Sequence, residues 1–212
     1  MQRTTGFSVA ALVLACPCPA LAADEDVQLW VSQSVTTPVG DTVDGTVDLS
    51  QRIRESGNQL LTRGTVEVRL WENAVLGGGA AYVVTDDAAD EVRPHQQLTL
   101  TFGPLALRTR VEERFFDGAD RMELRLREKV TATWPVTPRL KAALAGELLY
   151  TAQSRDFRRG DHVDQWRANA TLTHRLTDSL ESTLGYLAIL APGGGAPDKL
   201  SHVIQLSLTY RR

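Results

Sequence analysis

Hydrophobic and polar side chains alternate along most of this chain with a period of two. The pattern is clear at Leu98, Leu100 and Phe102, which are separated by threonines. Because successive side chains of a β-strand point to opposite faces, such a segment is a strand with one apolar face. About ten such segments, each long enough to cross a bilayer, follow one another over residues 43–212. They predict an all-β fold, an antiparallel transmembrane β-barrel of the outer membrane.

Turn-forming residues and longer polar stretches bound the predicted strands. The strands cover residues 27–35, 43–54, 59–71, 75–84, 95–102, 105–116, 120–134, 139–150, 163–176, 180–190 and 201–211. Short and long connections alternate between them, as periplasmic turns and extracellular loops do in barrels of this type. We therefore expect the chain to end on the periplasmic side.

The number of predicted segments is odd, whereas single-chain bacterial barrels close with an even number. We favour a barrel of about ten strands over residues 43–212, with about twelve as the alternative if one strand is unrecognised. Residues 23–42 then form an N-terminal extended segment, whose run Val27–Val35 is an extra strand, a lumenal plug or a periplasmic cap.

Outward-facing aromatic residues of such barrels gather at the two membrane interfaces. The residues at predicted periplasmic strand ends are Phe102, Trp134 and Tyr210, and those towards extracellular ends are Tyr82, Phe115, Tyr150 and Trp166. They predict an aromatic girdle at each interface. Trp71 departs from the pattern, because it lies at the right height but in the inward phase.

The first residues have the features of an export signal. Arg3 precedes a short apolar run at residues 7–15, and small residues precede a cleavage site after Ala22. Residues 1–22 are therefore expected to be a signal peptide, and the alternative is lipoprotein processing at Cys16. Both cysteines of the chain lie in this segment, which excludes disulfides from the mature protein.

The formal net charge of the 212-residue chain is −3, and this mild acidity argues against a nucleic-acid partner. The expected partners are outer-membrane lipid and, during biogenesis, the barrel-assembly machinery. That machinery reads a terminal aromatic residue in many barrels, so Tyr210 is the candidate signal here. The pattern leaves the oligomeric state open.

Several stretches together resemble the bacterial family called domain of unknown function 2490, exported proteins expected to form outer-membrane barrels. They are Leu29-Trp30, Arg108–Phe115 with Asp117-Gly118, Arg125–Arg127, Gly185-Tyr186 and His202–Tyr210. The likeness covers nearly all of the mature chain, and its arginine-rich central hairpin is the most specific part. The resemblance implies a barrel fold and no established activity.

That hairpin carries the densest inward-facing charge. Its inward phase consists of Arg108, Arg110, Glu112, Arg114, Glu123, Arg125, Arg127 and Lys129. A tight turn would place Arg114 opposite Glu123 and Glu112 opposite Arg125, and would also set Arg110 against Arg127. Like charges face each other favourably only where acids of other strands or bound anions offset them. The candidate inward acids are Asp44, Asp48, Glu67, Glu147 and Glu181.

The inward-facing charged residues of the hairpin have two interpretations. The favoured one is a structural, non-enzymatic barrel whose largely plugged basic lumen is held by ion pairs, and the alternative is a narrow channel that prefers anions. A soluble periplasmic barrel that binds a small ligand conflicts with the apolar outward face.

A lipid-modifying enzyme is a further, weaker alternative, since it needs a Ser/His pair. Ser201 and His202 are adjacent in a strand and point to opposite faces, while His174 shares an outward phase with Ser182 in one register only. No catalytic residue, cofactor or metal site is predicted. The acids of residues 86–91 are expected to form a solvated loop rather than a calcium site.

Two further features bear on the strands. The glycines at 77–79 predict a barrel bend or a close backbone approach. Glu113 and Glu128 fall in the lipid-facing phase, where a charge is unfavourable, so a local bulge is favoured over contact with a partner protein.

Overall fold

The computed structural model describes residues 24–212, so the predicted signal peptide lies outside the described residues. Eleven β-strands make up the fold. They are β1 Asp24–Gly40, β2 Val43–Ile53, β3 Gln59–Trp71, β4 Ala74–Thr85, β5 Glu91–Phe102, β6 Leu105–Phe116, β7 Glu123–Thr137, β8 Leu140–Gln153, β9 His162–Arg175, β10 Leu180–Ala191 and β11 Lys199–Arg211. Residues 24–212 include no helix that is long and apolar enough to cross a membrane.

The strands form one closed barrel, in which consecutive strands pair antiparallel and β1 pairs with β11 in parallel. The closing register runs from Asp24 opposite Lys199 to Thr36 opposite Arg211. An odd number of up-and-down strands leaves the first and last strands running in the same direction, so their pairing must be parallel. The chain therefore enters the barrel at the end with the longer loops and leaves it at the end with the short turns.

The predicted fold class is confirmed, and the expected count of about ten strands is one short of the eleven observed. The additional strand is β1, which contains the run Val27–Val35. An even count is required only of barrels that close through an antiparallel pair, whereas β1 and β11 close this barrel in parallel. Within the described residues, the 24–40 segment is part of the wall and neither plugs the lumen nor caps its mouth.

The outer face carries the apolar residues of the alternating pattern. Six of the predicted girdle residues are 40–52 % exposed, and Tyr150 is half-buried. The six are Tyr82, Phe102, Phe115, Trp134, Trp166 and Tyr210. Trp71, which broke the pattern, follows a register shift after Arg69 and is 68 % exposed. The shift explains why counting in steps of two misplaced it.

The glycine run in β4 lies where two backbones approach closely. A Cβ atom on Gly79 would lie 2.0 Å from the carbonyl oxygen of Gly64 on β3. A side chain at this position would therefore collide with main-chain atoms, which confirms the close approach predicted from the glycines. By contrast, Gly146 on β8 has no atom within 4 Å of the corresponding position.

The prediction of a bulge at Glu113 and Glu128 is wrong for the β6–β7 pair. The register is unbroken from Leu105 opposite Ala132 to Arg114 opposite Glu123. Glu128 is exposed on the outer face and accepts a hydrogen bond from Thr109 Oγ1 at 2.8 Å. A cross-strand hydroxyl, rather than a shift in register, accommodates this carboxylate.

Candidate functional site: a basic lumen

The β6–β7 hairpin pairs its charged residues in the predicted register. Arg114 lies opposite Glu123 and Glu112 opposite Arg125, while Arg110 faces Arg127. The tight turn expected between the strands is a six-residue connection in the structure, residues 117–122, although the predicted register holds. It contains Gly118, whose φ of 70° is the left-handed conformation that glycine adopts readily. The two like-charged pairs, Arg110 with Arg127 and Arg108 with Lys129, therefore need acids from elsewhere.

Glu112 is the centre of the first cluster and is only 1 % exposed. Its Oε2 accepts hydrogen bonds from Arg125 Nε at 3.0 Å and Nη2 at 2.7 Å. Its Oε1 accepts one from Arg127 Nη1 at 2.8 Å, and Arg110 Nη1 lies 3.6 Å from the same oxygen. One buried carboxylate thus offsets three guanidinium groups.

Glu147 of β8 supplies the second negative charge. Its Oε1 accepts hydrogen bonds from Arg108 Nη2 at 2.8 Å and from Arg127 Nη2 at 2.7 Å. Arg167 Nη1 of β9 lies 3.7 Å from the other oxygen. An acid on a neighbouring strand therefore offsets one cation of each like-charged pair.

The other predicted inward acids have smaller parts. Asp48 forms an ion pair with Arg63 at 2.9 Å. Glu67 accepts a hydrogen bond from Gln97 at 2.7 Å, and Gln97 in turn accepts from Arg110. Among the described residues, neither Asp44 nor Glu181 takes part in the central network. Glu181 lies at the short-turn end, 3.6 Å from Arg211.

Glu91 corrects the prediction of a solvated acidic loop. It is the first residue of β5, is 3 % exposed, and accepts hydrogen bonds from Arg93 at 2.7 Å and from Arg114 at 2.6 Å. Pro94 lacks an N–H group, and cross-strand pairing with β6 lapses beside it before resuming at His95. The alternation of Glu91, Arg93 and His95 was the signal for a strand.

A cavity of about 320 Å³ lies among these side chains, towards the long-loop end. Its lining contains eleven basic residues and only two acidic ones, Glu112 and Glu147. The basic residues are Arg52, Arg54, Arg63, Arg93, Arg108, Arg110, Arg114, Arg125, Arg127, Lys129 and Arg167. Six of the predicted hairpin cations thus line one cavity. The lining arginines of β2, β3, β5 and β9 were not part of the prediction.

A second cavity of about 320 Å³ lies towards the short-turn end and is lined largely by hydroxyl groups. The hydroxyl side chains are Ser32, Ser34, Ser50, Thr171, Thr183, Ser207 and Thr209. The two cavities share the lining residues Trp30, Arg52, Leu61, Arg63 and Gln205. The lumen therefore contains two polar chambers that meet at one layer of side chains.

Arginine and aromatic side chains stack at the long-loop mouth. The guanidinium carbons of Arg114 and Arg155 lie 4.7 and 4.1 Å from the ring centre of Phe116. Arg54, in the loop between β2 and β3, also lines the chamber. The mouth thus adds positive charge to the chamber beneath it.

The structure separates one of the two Ser/His pairs considered for catalysis and brings the other together. Ser201 Oγ donates to Asp26 on the lumenal side, whereas His202 Nδ1 lies 2.6 Å from the hydroxyl of Tyr186 on the outer face. Ser182 and His174 are register neighbours on β10 and β9. Over residues 24–212, no group of three or more His, Cys, Asp or Glu residues could hold a metal ion.

A closed wall of strands, antiparallel except at the β1–β11 pair, with an apolar outer face and a charged lumen defines the class of fold as an outer-membrane β-barrel. A family model described as a protein of unknown function, DUF2490, matches residues 27–193, so the chain belongs to this family. No curated protein sequence matches it.

The fold of the chain is similar to that of a solved porin structure. The NanC porin in a rhombohedral crystal form has a TM-score of 0.54 at 10 % identity, over 77 % of this chain and 87 % of that chain. A loop L8 deletion mutant of OmpT, an outer membrane protein of Vibrio cholerae, has a TM-score of 0.44 at 11 % identity, over 72 % of this chain and 55 % of that chain.

Proposed function

We propose that the protein is a non-enzymatic outer-membrane barrel whose lumen is a narrow channel that prefers anions. The observation that carries the proposal is the lining of the long-loop chamber, where eleven basic residues face two carboxylates. Rings of arginine and lysine in a pore raise the local concentration of anions and repel cations. The shared lining of the two chambers supports a path along the barrel axis.

The ion-pair network supports a second candidate, a closed structural barrel. Glu112 and Glu147 together bind side chains of β6, β7 and β9, so they fasten one side of the lumen. A network of this kind makes a small barrel rigid whether or not ions pass. In the closed barrel the same side chains serve stability alone, and no current flows.

Recordings from the purified protein in a planar lipid bilayer separate these two candidates. For the channel, the wild type conducts, and the reversal potential under a KCl gradient has the sign of chloride preference. Neutralising Arg108, Arg110 and Arg127 together to glutamine should reduce that preference, because these residues supply part of the positive charge of the chamber. A wild-type protein that inserts as a folded barrel and carries no current would exclude the channel and support the closed structural barrel.

A matched control neutralises three arginines that line neither chamber. Arg139, Arg175 and Arg212 are exposed and lie towards the short-turn end. Their combined change to glutamine removes the same total charge, yet should leave ion preference as in the wild type. If it shifts the reversal potential as far as the lumenal triple variant does, overall charge rather than the lumen determines selectivity.

We further propose that residues 1–22 are an export signal removed after Ala22, and that the barrel-assembly machinery inserts the mature chain among outer-membrane lipids. N-terminal sequencing of the protein from the outer-membrane fraction should begin at Ala23. A lipidated N-terminus at Cys16 would instead identify a lipoprotein.

A further inference from the structure

The layer where the two lumenal chambers meet consists of Trp30, Arg52, Leu61, Arg63 and Gln205. These residues come from β1, β2, β3 and β11, on the side of the lumen away from the central hairpin. A solute that passes from one chamber to the other must pass this layer. Its chemistry therefore bears directly on what the lumen admits.

Arg52 and Trp30 are register neighbours on β2 and β1. The guanidinium carbon of Arg52 lies 4.1 Å from the centre of the Trp30 ring, and that of Arg167 lies 5.9 Å from it. Trp30 Nε1 donates to Gln28 Oε1 at 2.9 Å, which fixes the ring. The indole thus holds Arg52 in place without neutralising its charge.

Within residues 24–212, Arg52 forms no ion pair with a carboxylate, and its buried Nε has no hydrogen-bond partner. Its Nη1 donates to the neutral Gln59 at 2.9 Å. Arg63, in the same layer, is instead bound to Asp48 at 2.9 Å. Within the 24–212 segment, the charges that act most strongly on Arg52 are those of other arginines.

A buried N–H group without an acceptor is costly, and a buried guanidinium without a counter-charge is more so. The planar fork of arginine matches the paired oxygens of carboxylate and phosphate groups. Arg52 is thus a fixed cation whose N–H donors are not all paired, and it lies in the layer that lines both chambers.

We propose that Arg52 is the principal binding site for a small oxyanion, a carboxylate or phosphate group, at the junction of the two lumenal chambers. This site rests on the proposed anion channel and gives it a specific point of recognition. The bound anion supplies the counter-charge that the side chains around Arg52 do not provide.

Trp30 offers a direct reporter of occupancy. The other three tryptophans, Trp71, Trp134 and Trp166, are 40–68 % exposed on strands whose outer face meets lipid or detergent. Replacing those three with phenylalanine leaves Trp30 as the only tryptophan, in contact with the site, and excitation at the red edge of the tryptophan absorption avoids the tyrosines. Iodide, an anionic collisional quencher, and caesium, a cationic one, then probe the charge beside its ring.

In the refolded protein with Trp30 alone, iodide should quench the fluorescence far more than caesium does. Sodium acetate and sodium phosphate, titrated separately, show which oxyanion protects Trp30 from iodide at the lower concentration. Arg52→Gln should weaken this protection by about tenfold or more, as expected for loss of a charge-assisted hydrogen bond. Arg52→Lys should retain part of it, because lysine keeps the charge but not the fork.

The control is Arg69→Gln, since Arg69 is exposed on β3 and lines neither chamber. Protection in this variant should match that of the parent. Equal quenching by iodide and caesium, or protection that survives Arg52→Gln in a folded barrel, would refute the proposed anion site at Arg52. Because the titration needs no current, a protein that binds anions but does not conduct would overturn the channel while leaving the site intact.

Discussion

Glu112→Gln tests how far the lumenal network holds the barrel together. Each oxygen of Glu112 has its own partner, since Oε2 accepts two hydrogen bonds from Arg125 and Oε1 accepts one from Arg127. A carboxamide has one acceptor oxygen, so the new NH₂ group must point at one of these guanidinium groups. At least one charge-assisted hydrogen bond is lost, and the arginines around it lose their shared counter-charge.

The magnitude follows from burial. Glu112 is 1 % exposed, and breaking a buried ion pair by removing one partner costs about 3 to 5 kcal/mol. Because a chamber adjoins the cluster and water in it can solvate the arginines, we expect the lower end, about 3 kcal/mol of unfolding free energy. The change is nearly isosteric, so packing should contribute little.

Urea unfolding of the barrel in phospholipid vesicles, followed by circular dichroism and by the gel mobility of unboiled samples, measures this difference. Glu72→Gln makes the same chemical change at an exposed position in the turn between β3 and β4. The urea midpoint should fall for Glu112→Gln and stay at the wild-type value for Glu72→Gln. Equal midpoints for both variants would refute the claim that the network stabilises the fold.

Two further predictions concern the wall of the barrel. A cysteine at Asp24 should react on whole cells with a membrane-impermeant thiol reagent, and one at Asp41 should not, because β1 crosses the membrane between them. Reaction at Asp41 alone would show that the barrel has the opposite orientation. Gly79→Ala should destabilise the barrel by at least about 3 kcal/mol, since a Cβ there would lie 2.0 Å from a backbone oxygen. Gly146→Ala, with open space around it, should unfold at the wild-type urea concentration; similar midpoints for both alanine variants would contradict the close contact.

Much of the wall follows from local pattern. The period of two along β5 and β11 identifies which side chains face lipid, because each strand has one apolar face. The two strands of the central hairpin are joined by a short connection, so the pairing of Glu112 with Arg125 could be derived from residues only 13 apart.

Closure could not be derived in this way. The side chains of Ser34 and Thr209 meet across the β1–β11 seam, although 175 residues separate them. No local pattern specifies a parallel partner at that distance, so β1 had no place in an even-numbered barrel. Arg52 was missed for a related reason, because its surroundings come from β1, β3 and β9 and arise only when the barrel closes.

We propose that excess positive charge in the lumen determines which ions enter. The most direct test is the reversal potential under a KCl gradient for the wild type, for Lys129→Gln, and for the variant with Arg108, Arg110 and Arg127 all changed to glutamine. Lys129 lines the long-loop chamber and faces Arg108 across the hairpin. We expect chloride preference to fall stepwise from the wild type through the single variant to the triple variant. A wild-type barrel that prefers potassium, or one whose reversal potential stays the same across the three proteins, would contradict the account.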